Sequence, residues 1–584
     1  MRNNSTYPAD RRPYMPFLLL GGICALAGCA PTGLRVHVPP GVAVPERCAV
    51  MFFVDGLDRA VYDDMLARGE LPAIEKYIVR RGVSVDDPVT CVPSITYAVA
   101  TTFLTGLYPG HHDIVGNNWF DRQSLIVRSY MESSTYREVN ADFTTPTIYD
   151  VLGDRFTVNF QNAVRRGVRR TIDNWVESGV CWFFGWHLAA DRWVGSDFEQ
   201  LEGLARQAGR WPDFIQAYFP GVDATGHHAG ADHPLYRQAV RNVDKQIGWA
   251  CEALLRAGIF DRTYLILVTD HGHAPCAHEH YIELARWLAR AKGWRIHEDR
   301  YDWGTLPQRQ RHFAKIDAVA LNGGSRQFKL YLPGADGWAS RPDFERCKEA
   351  LTTGRPPLGT LPAVFVCACR KGPEQVWLYG PGGDATVTRR RTAGRLSDPD
   401  HVGGLSEPDR KDHVRRFSAP DRIEPDHRDN EIEYRYDVGT GDPLGYLSDP
   451  ETAEFVRQGW HGSRAWLRAT TGSRCPDTPA QIVELFDSPR APDIEIFAAE
   501  DWDFSHENVG GHGSILRRDM RILMVFAGPG LPAGRRIPTA RAADVAPTIV
   551  ELLAGPDRLN EMGHLDGMSL VPQLRGAEAI MRMQ

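Results

Sequence analysis

The stretch CAVMFFVDG, residues 48–56, decides the fold class. Its run of consecutive apolar residues predicts a strand buried on both faces, as in a parallel sheet covered by helices. The run ends at Asp55, where the carboxyl end of a parallel strand presents a functional side chain. Other apolar runs that end in polar clusters are therefore expected to be neighbouring strands of the same sheet.

The same pattern recurs later in the chain. Phe214–Phe219 leads to Asp223, Tyr264–Thr269 leads to Asp270, and Arg521–Phe526 reads as a further strand. Apolar spacing and end signals predict helices at 71–81, 95–104, 235–255 and 544–553. Strands that alternate with helices predict an α/β fold, with a doubly wound, mostly parallel sheet and helices on both faces.

Length and composition narrow the function class. The 584 residues suit either two to four domains or one large α/β domain with an inserted cap region, and the 43% hydrophobic and 10% aromatic content is enough for a sizeable core. The net charge of −7 comes without a basic stripe, so the sequence gives no sign of a nucleic-acid groove. The same composition excludes a disordered acidic protein.

The beginning of the chain is expected to be a targeting segment. Arg11 and Arg12 precede the apolar run Met15–Leu26, which is too short to span a bilayer. Leu26-Ala27-Gly28-Cys29 resembles the bacterial lipobox, so residues 1–29 are expected to be a lipoprotein signal peptide and Cys29 its lipidated residue. An ordinary signal peptide with a chance cysteine is the alternative.

This interpretation sets the expected location of the protein. Residues 30–46 would form a Pro/Gly-rich tether, and the protein would be exported and lipid-anchored to the cell envelope. Ala30 stands where inner-membrane retention would call for aspartate, which favours the outer membrane.

Four separated clusters carry residues that suit a two-metal hydrolase. Carboxylates and imidazoles are zinc ligands, and a hydroxyl among them is the kind of group that a metal turns into a nucleophile. Two divalent cations about 3.5–4 Å apart can hold the attacking and leaving oxygens of an in-line displacement. The predicted ligands are Asp55, Thr96, Asp223, His227, Asp270, His271 and His512.

The phrases around these residues resemble the alkaline phosphatase superfamily, and within it the type I phosphodiesterase/nucleotide pyrophosphatase family. They are VDG, PSIT followed by TGLYPGHHDIVGN, DATGH, TDHG, GGHGS, FAGPGLPAG and DVAPTIVELL. The resemblance implies one zinc ion on Asp223, His227 and His512, and a second on Asp55, Asp270, His271 and Thr96. It also implies that Thr96 attacks phosphorus and forms a phospho-threonine.

The residue three positions after Thr96 departs from the family pattern. An asparagine that contacts the phosphate is expected three residues after the nucleophile, and Val99 stands there. Asn117 and Asn118 are therefore the candidate substrate-binding residues, with turn formation in Gly116-Asn117-Asn118 as the competing explanation.

Other ester hydrolases could use the same metal site. A phosphomonoesterase, a phosphonate hydrolase and a sulfatase are the enzymatic alternatives, and manganese suits the same ligand types as zinc. Cys91-Val92-Pro93-Ser94 resembles a sulfatase phrase, but Ile95 replaces its arginine, and Thr96 has the nucleophile's spacing from Thr105-Gly106. A non-catalytic binding lipoprotein is the remaining alternative.

The region between the ligand clusters has a different character. We predict a catalytic core at 47–275 and 505–575, and an insertion at 276–504 that either covers the substrate or is merely an appended module. Residues 384–430 are expected to be a mobile surface segment. Trp303, Trp377 and Trp460 are candidates for stacking on a base, with burial inside the insertion favoured. His273, His278 and His280 are expected on the surface.

Overall fold

The computed structural model describes residues 36–132, 134–173, 187–298, 304–391, 432–506 and 508–576. The expected leader with Cys29, the first residues of the tether, Trp303 and residues 392–430 of the expected surface segment lie outside this part of the chain. Within the described ranges, no helix has both the length and the hydropathy needed to cross a bilayer.

An eight-stranded sheet, here called the core sheet, forms the centre of the region that is predicted to be catalytic. All neighbouring strands are parallel except Met524–Ala527, which is antiparallel to both of its neighbours. The doubly wound, mostly parallel sheet is thus confirmed. In spatial order the strands are Arg535–Arg541, Gly82–Val89, Met524–Ala527, Thr263–Val268, Cys48–Val54, Phe214–Phe219, Thr157–Phe160 and Arg170–Ile172.

Helices cover both faces of the core sheet, as the continuous apolar strands require. Met51 and Phe53 point into one hydrophobic cluster, while Val50 and Phe52 point into another. Helices Thr96–Thr105, Ile148–Val151 and Val545–Ala554 contribute to the first cluster. The second is covered by Arg59–Ala67, Pro72–Tyr77, His187–Asp197, Leu201–Ala208 and Pro234–Arg256.

A nine-stranded sheet, here called the insertion sheet, is built between residues 296 and 498. Its strands in spatial order are Ile296–His297, Ala318–Asn322, Gln327–Tyr331, Ile494–Ala498, Val364–Gly372, Gln375–Gly380, Gly383–Arg391, Ile432–Val438 and His461–Gly462. Its helices are Leu284–Lys292, Leu306–Phe313, Phe344–Thr352, Pro450–Arg457, Ser463–Thr470 and Thr478–Leu485. A small sheet of Asp501–Asp503, Ala274–Tyr281 and Gly510–Gly511 lies at the junction with the core.

The expected surface segment at 384–430 is wrong at its start. Residues 384–391 belong to the strand Gly383–Arg391, which pairs with strands on both sides. Buried and more exposed side chains alternate along this strand. One of the buried positions is Arg389, a charged residue that pairs with the carboxylates of Glu374, Glu484 and Asp487, so the alternation cannot be recognised from hydrophobic residues. From the sequence alone, a segment whose charged residues form buried ion pairs is mistaken for an exposed surface segment.

Candidate active site

Adjacent strands of the core sheet bring the predicted ligands to one edge. Phe53 pairs with Val268 and Val54 pairs with Phe219, so the three central strands end side by side. Asp55 and Asp270 follow two of these strands, and the helix Gly221–Ala229 follows the third. Side chains at the carboxyl ends of parallel neighbours therefore converge, as open α/β sheets arrange them.

The first group of ligands surrounds one imidazole nitrogen. Nε2 of His271 lies 3.3 Å from Asp55 Oδ1, 3.2 Å from Asp270 Oδ2 and 3.2 Å from Thr96 Oγ1. Thr96 is the first residue of the helix Thr96–Thr105 and is half-buried, while the other three side chains are buried. The ligand atoms of Asp55, Asp270 and His271 all lie within 4.8 Å of one another.

The second group surrounds one carboxylate oxygen. Asp223 Oδ1 lies 3.4 Å from Nε2 of His227 and 3.6 Å from Nε2 of His512. Asp223 and His227 come from successive turns of one helix, and His512 follows the short strand Gly510–Gly511. The two groups adjoin, because the rings of His271 and His512 stack with centroids 3.5 Å apart.

Backbone carbonyls orient all three imidazoles in the same way. Nδ1 of His271, His227 and His512 donates to the carbonyls of Gly272, Gly510 and Ser94 at 2.9, 3.0 and 3.0 Å. This contact leaves Nε2 of each ring as the nitrogen with a free lone pair. Such outer hydrogen bonds typically fix the tautomer of metal-binding histidines.

Each carboxylate of the centre keeps one buried oxygen without a hydrogen-bond donor. These are Oδ1 of Asp55, Oδ1 of Asp223 and Oδ2 of Asp270. Burial, together with the neighbouring charges of Asp270 and Asp223, raises the pKa of Asp55 well above its ordinary value. Buried carboxylates are costly unless they are paired or coordinate metals. The donor set therefore fits a pair of divalent cations.

The other carboxylate oxygens are fixed by the protein. Oδ1 of Asp270 accepts from the backbone N–H groups of Gly56 and His271, both at 3.0 Å. Oδ2 of Asp55 accepts from the hydroxyl of Tyr218. Tyr218 is a functional residue that the sequence analysis missed, although its place near the end of the strand Phe214–Phe219 is a usable signal.

Asn117 and Asn118 differ in what they contact. Asn117 Oδ1 accepts from the backbone N–H of Tyr97 at 3.3 Å, beside the predicted nucleophile. Asn118 is buried, and its amide donates to Asn322 O at 2.7 Å and accepts from Lys329 Nζ at 3.5 Å. The amide of Asn118 is thus engaged by the insertion, and Asn117 is the better candidate for a substrate contact.

The insertion reaches the site through residues 322–326, here called the junction loop. Arg326 N–H donates to the carbonyl of His512 at 3.0 Å. A Cβ on Gly324 would lie 2.4 Å from the side chain of Ile95, which precedes Thr96. The loop therefore packs tightly between the nucleophile helix and the loop that carries His512.

Two further residues considered in the sequence, His273 and Cys91, are both buried. His273 is fully buried against Asp223, so its expected surface position is wrong. Its signal was its position in Asp270-His271-Gly272-His273, directly after two ligands. Cys91 is buried beside Thr102, and burial raises the pKa of its thiol to about 12, so it does not act as a nucleophile.

The candidate stacking tryptophans belong to the insertion's own structure. Trp377 is buried, stacks on Tyr379 and donates to Asp384. The ring of Trp460 packs against the guanidinium groups of Arg390 and Arg435, whose central carbons lie 4.2 and 4.8 Å from the ring centroid. For Trp377, burial inside the insertion is confirmed as the correct interpretation.

Comparison with known proteins identifies a family and a fold that this chain resembles. Residues 49–335 match the family model described as type I phosphodiesterase / nucleotide pyrophosphatase. This match includes the first strands of the insertion sheet. The chain resembles the solved structure of murine ectonucleotide pyrophosphatase / phosphodiesterase 5, with a TM-score of 0.50 and 16% identity over 87% of this chain and 95% of that one. That likeness concerns the fold.

Curated relatives match part of the chain. An uncharacterized pyrophosphatase/phosphodiesterase of Schizosaccharomyces pombe is 32% identical over 251 residues, which are 42% of this chain and 48% of that protein. Human ectonucleotide pyrophosphatase/phosphodiesterase family member 5 is 24% identical over 238 residues, covering 36% of this chain and 43% of that protein. The chain thus spans about half the length of the curated relatives it matches.

Proposed function

Since this chain belongs, over residues 49–335, to the type I phosphodiesterase / nucleotide pyrophosphatase family, we propose that it hydrolyses phosphoric diesters with a threonine nucleophile and two divalent cations. The main observation behind the proposal is that Asp55, Asp223 and Asp270 each have one buried carboxylate oxygen that accepts no hydrogen bond. These oxygens lie next to the imidazole nitrogens of the site. One cation would be held by Asp55, Asp270, His271 and Thr96. The other would be held by Asp223, His227 and His512.

The cations, when bound, would lower the pKa of the threonine hydroxyl and of water and would neutralise charge on the phosphate oxygens. Thr96 Oγ1 gives up its proton to solvent and attacks phosphorus, and a phospho-threonine forms as the bond to the leaving oxygen breaks. That oxygen takes up a proton and departs as the alcohol. Attack by water on this phospho-threonine then releases the monoester and restores the hydroxyl. Thr96 is suited to this role because its hydroxyl is half-exposed at a helix N-terminus, where backbone N–H groups and the helix dipole favour an anion.

Asn117 is proposed to help hold the phosphate beside Thr96. Its Oδ1 is engaged by the N–H of Tyr97, so its amide group is fixed next to the nucleophile helix. An amide N–H can donate to an anionic oxygen, which Val99, on the buried side of the same helix, cannot do.

Zinc is the proposed cation, because the ligand set mixes carboxylates with imidazoles. Manganese fits the same donors, so the metal must be measured. Elemental analysis of purified protein, followed by chelation and separate return of zinc and manganese, decides between them.

The activity test compares three chromogenic esters with the full-length protein in detergent. Bis-(p-nitrophenyl) phosphate represents a diester, p-nitrophenyl phosphate a monoester and p-nitrophenyl sulfate a sulfate ester. We expect diester hydrolysis that a chelator abolishes and zinc restores. Preference for the monoester or the sulfate would overturn the substrate class, and absence of all three activities in metal-loaded protein would favour a non-catalytic lipoprotein.

The matched variants Thr96→Ala and Thr96→Ser test the nucleophile. Thr96→Ala removes the hydroxyl, and we expect a loss of turnover of several orders of magnitude. Thr96→Ser keeps a hydroxyl and should retain part of the activity. Full turnover by Thr96→Ala would contradict the assignment.

We also propose that the protein is exported and held at the cell envelope by lipid on Cys29. The support is the lipobox-like sequence alone. Metabolic labelling with a tagged fatty acid should mark the wild-type protein and leave Cys29→Ser unmarked. Equal labelling of both proteins would refute the anchor.

A further inference from the structure

His273 lies against the second group of ligands without being part of it. Its Nδ1 is 3.4 Å from Oδ1 of Asp223, as close as the Nε2 of His227. The side chain is fully buried, and neither ring nitrogen has a hydrogen-bond partner within normal distance and angle. A buried imidazole with two unsatisfied nitrogens beside a buried carboxylate needs an explanation.

Two glycines leave the space that the ring of His273 occupies. A Cβ on Gly226 would lie 2.6 Å from the ring atoms of His273, and one on Gly510 would lie 3.0 Å away. These glycines belong to the helix that carries Asp223 and His227 and to the strand that leads to His512. The ring of His273 also packs edge-on against that of His227, with centroids 4.9 Å apart.

His273 does not belong to the compact ligand set of the second group. Asp223, His227 and His512 offer ligand atoms that all lie within 4.8 Å of one another, whereas His273 is outside this set. Its polar contact with the set is with Asp223, while its contact with His227 is one of ring packing. A carboxylate oxygen has two lone pairs, so Oδ1 can accept an N–H from one side while it faces a cation on the other.

We propose that His273 is a positioning residue whose Nδ1–H donates to Oδ1 of Asp223 and aims this carboxylate at the cation shared with His227 and His512. The inference deepens the proposed function and rests on its two-cation site. Partners of this kind typically change metal affinity about 10–100-fold when they are removed. His273 thus sets the affinity of one half of the centre and leaves the half built on Asp55 unaffected.

The test uses two variants of equal size. His273→Asn places an amide N–H close to the position of Nδ1, whereas His273→Leu has the same shape without a donor. Zinc affinity is measured for the full-length protein by competition with a chromogenic chelator, which resolves two binding events without any turnover. We expect His273→Leu to weaken one event about 10–100-fold and His273→Asn to restore most of the loss.

The outcomes separate this inference from the proposed function. Equal affinities in wild type and both variants, or equal losses in both variants, would overturn the positioning role, since a packing effect acts on both alike. Wild-type protein that binds no divalent cation would overturn the two-cation proposal itself. If a variant fails to fold, long-range 15N–1H correlation spectra of the wild-type histidines decide, because the proposal requires the Nδ1–H tautomer at His273.

Discussion

The Arg326→Met substitution tests how the insertion supports the metal centre. Arg326 and Asp519 are both buried, and their side chains meet with Nε 2.9 Å from Oδ1 and Nη2 3.4 Å from Oδ2. The guanidinium also donates to the carbonyl of Trp502 at 2.6 Å. Asp519 in turn accepts from the N–H of Ser514, so the ion pair links the junction loop to the segment after His512.

The magnitude follows from what the substitution leaves behind. Methionine fills similar space but strands the carboxylate of Asp519, and breaking a buried pair typically costs about 3–5 kcal/mol. We therefore expect a loss in unfolding free energy of about 4 kcal/mol at pH 7.

The assay is urea unfolding followed by tryptophan fluorescence at pH 7, for the wild type, Arg326→Met, Asp519→Asn and the double variant. Asparagine keeps an acceptor for the N–H of Ser514 and carries no charge. We expect the double variant to be more stable than the sum of the single losses by about 2 kcal/mol. A loss in Arg326→Met well below the range of about 3–5 kcal/mol, or single losses that simply add in the double variant, would refute the reasoning.

Three further predictions concern the site and its surroundings. Tyr218→Phe removes the hydroxyl that donates to Asp55, so we expect one zinc-binding event to weaken about 10–100-fold in chelator competition; an unchanged affinity would contradict this role. Burial raises the pKa of Glu495 to about 8, against the opposing charge of Lys329. Between about pH 4.5 and 8 the folded protein therefore holds a proton that the unfolded chain has released, and wild-type stability falls as pH rises. Glu495→Gln should flatten this slope in urea unfolding at pH 5 and 8, and an unaltered slope would count against it. Chelation should lower the unfolding temperature reversibly, since a ligand at a hundredfold excess over its Kd stabilises by about 2.7 kcal/mol; the same midpoint with and without zinc would argue against metal binding in the fold.

The sequence predicted most of the core because its signals are local. Continuous apolar runs such as Cys48–Val54 identify buried strands, and their side-chain alternation is the same in any parallel sheet. The helix Thr96–Thr105 was predicted within one residue, as was the long helix Pro234–Arg256. Asp55 and Asp270 could be found because each comes shortly after a buried strand, and Asp223 because the strand Phe214–Phe219 leads to the helix that carries it.

The insertion was harder to predict from the sequence than the core, because several of its charged and polar side chains are buried next to one another. Arg389 interrupts an otherwise regular strand, and only its partners Glu484 and Asp487 explain why it lies inside. Lys329 and Glu495 face each other across neighbouring strands in the interior, where their residue types indicate surface. A buried polar group whose neighbours come from a distant part of the chain leaves no signal near its own position.

What the sequence by itself determined is the fold class and the set of candidate ligands, since both follow from short runs and their ends. Only the tertiary structure decided how those ligands face one another. It placed His273 behind Asp223, set Tyr218 against Asp55, and brought Arg326 of the insertion to the carbonyl of His512. These contacts join residues far apart in the chain, so they depend on strand order and packing, which no local pattern encodes.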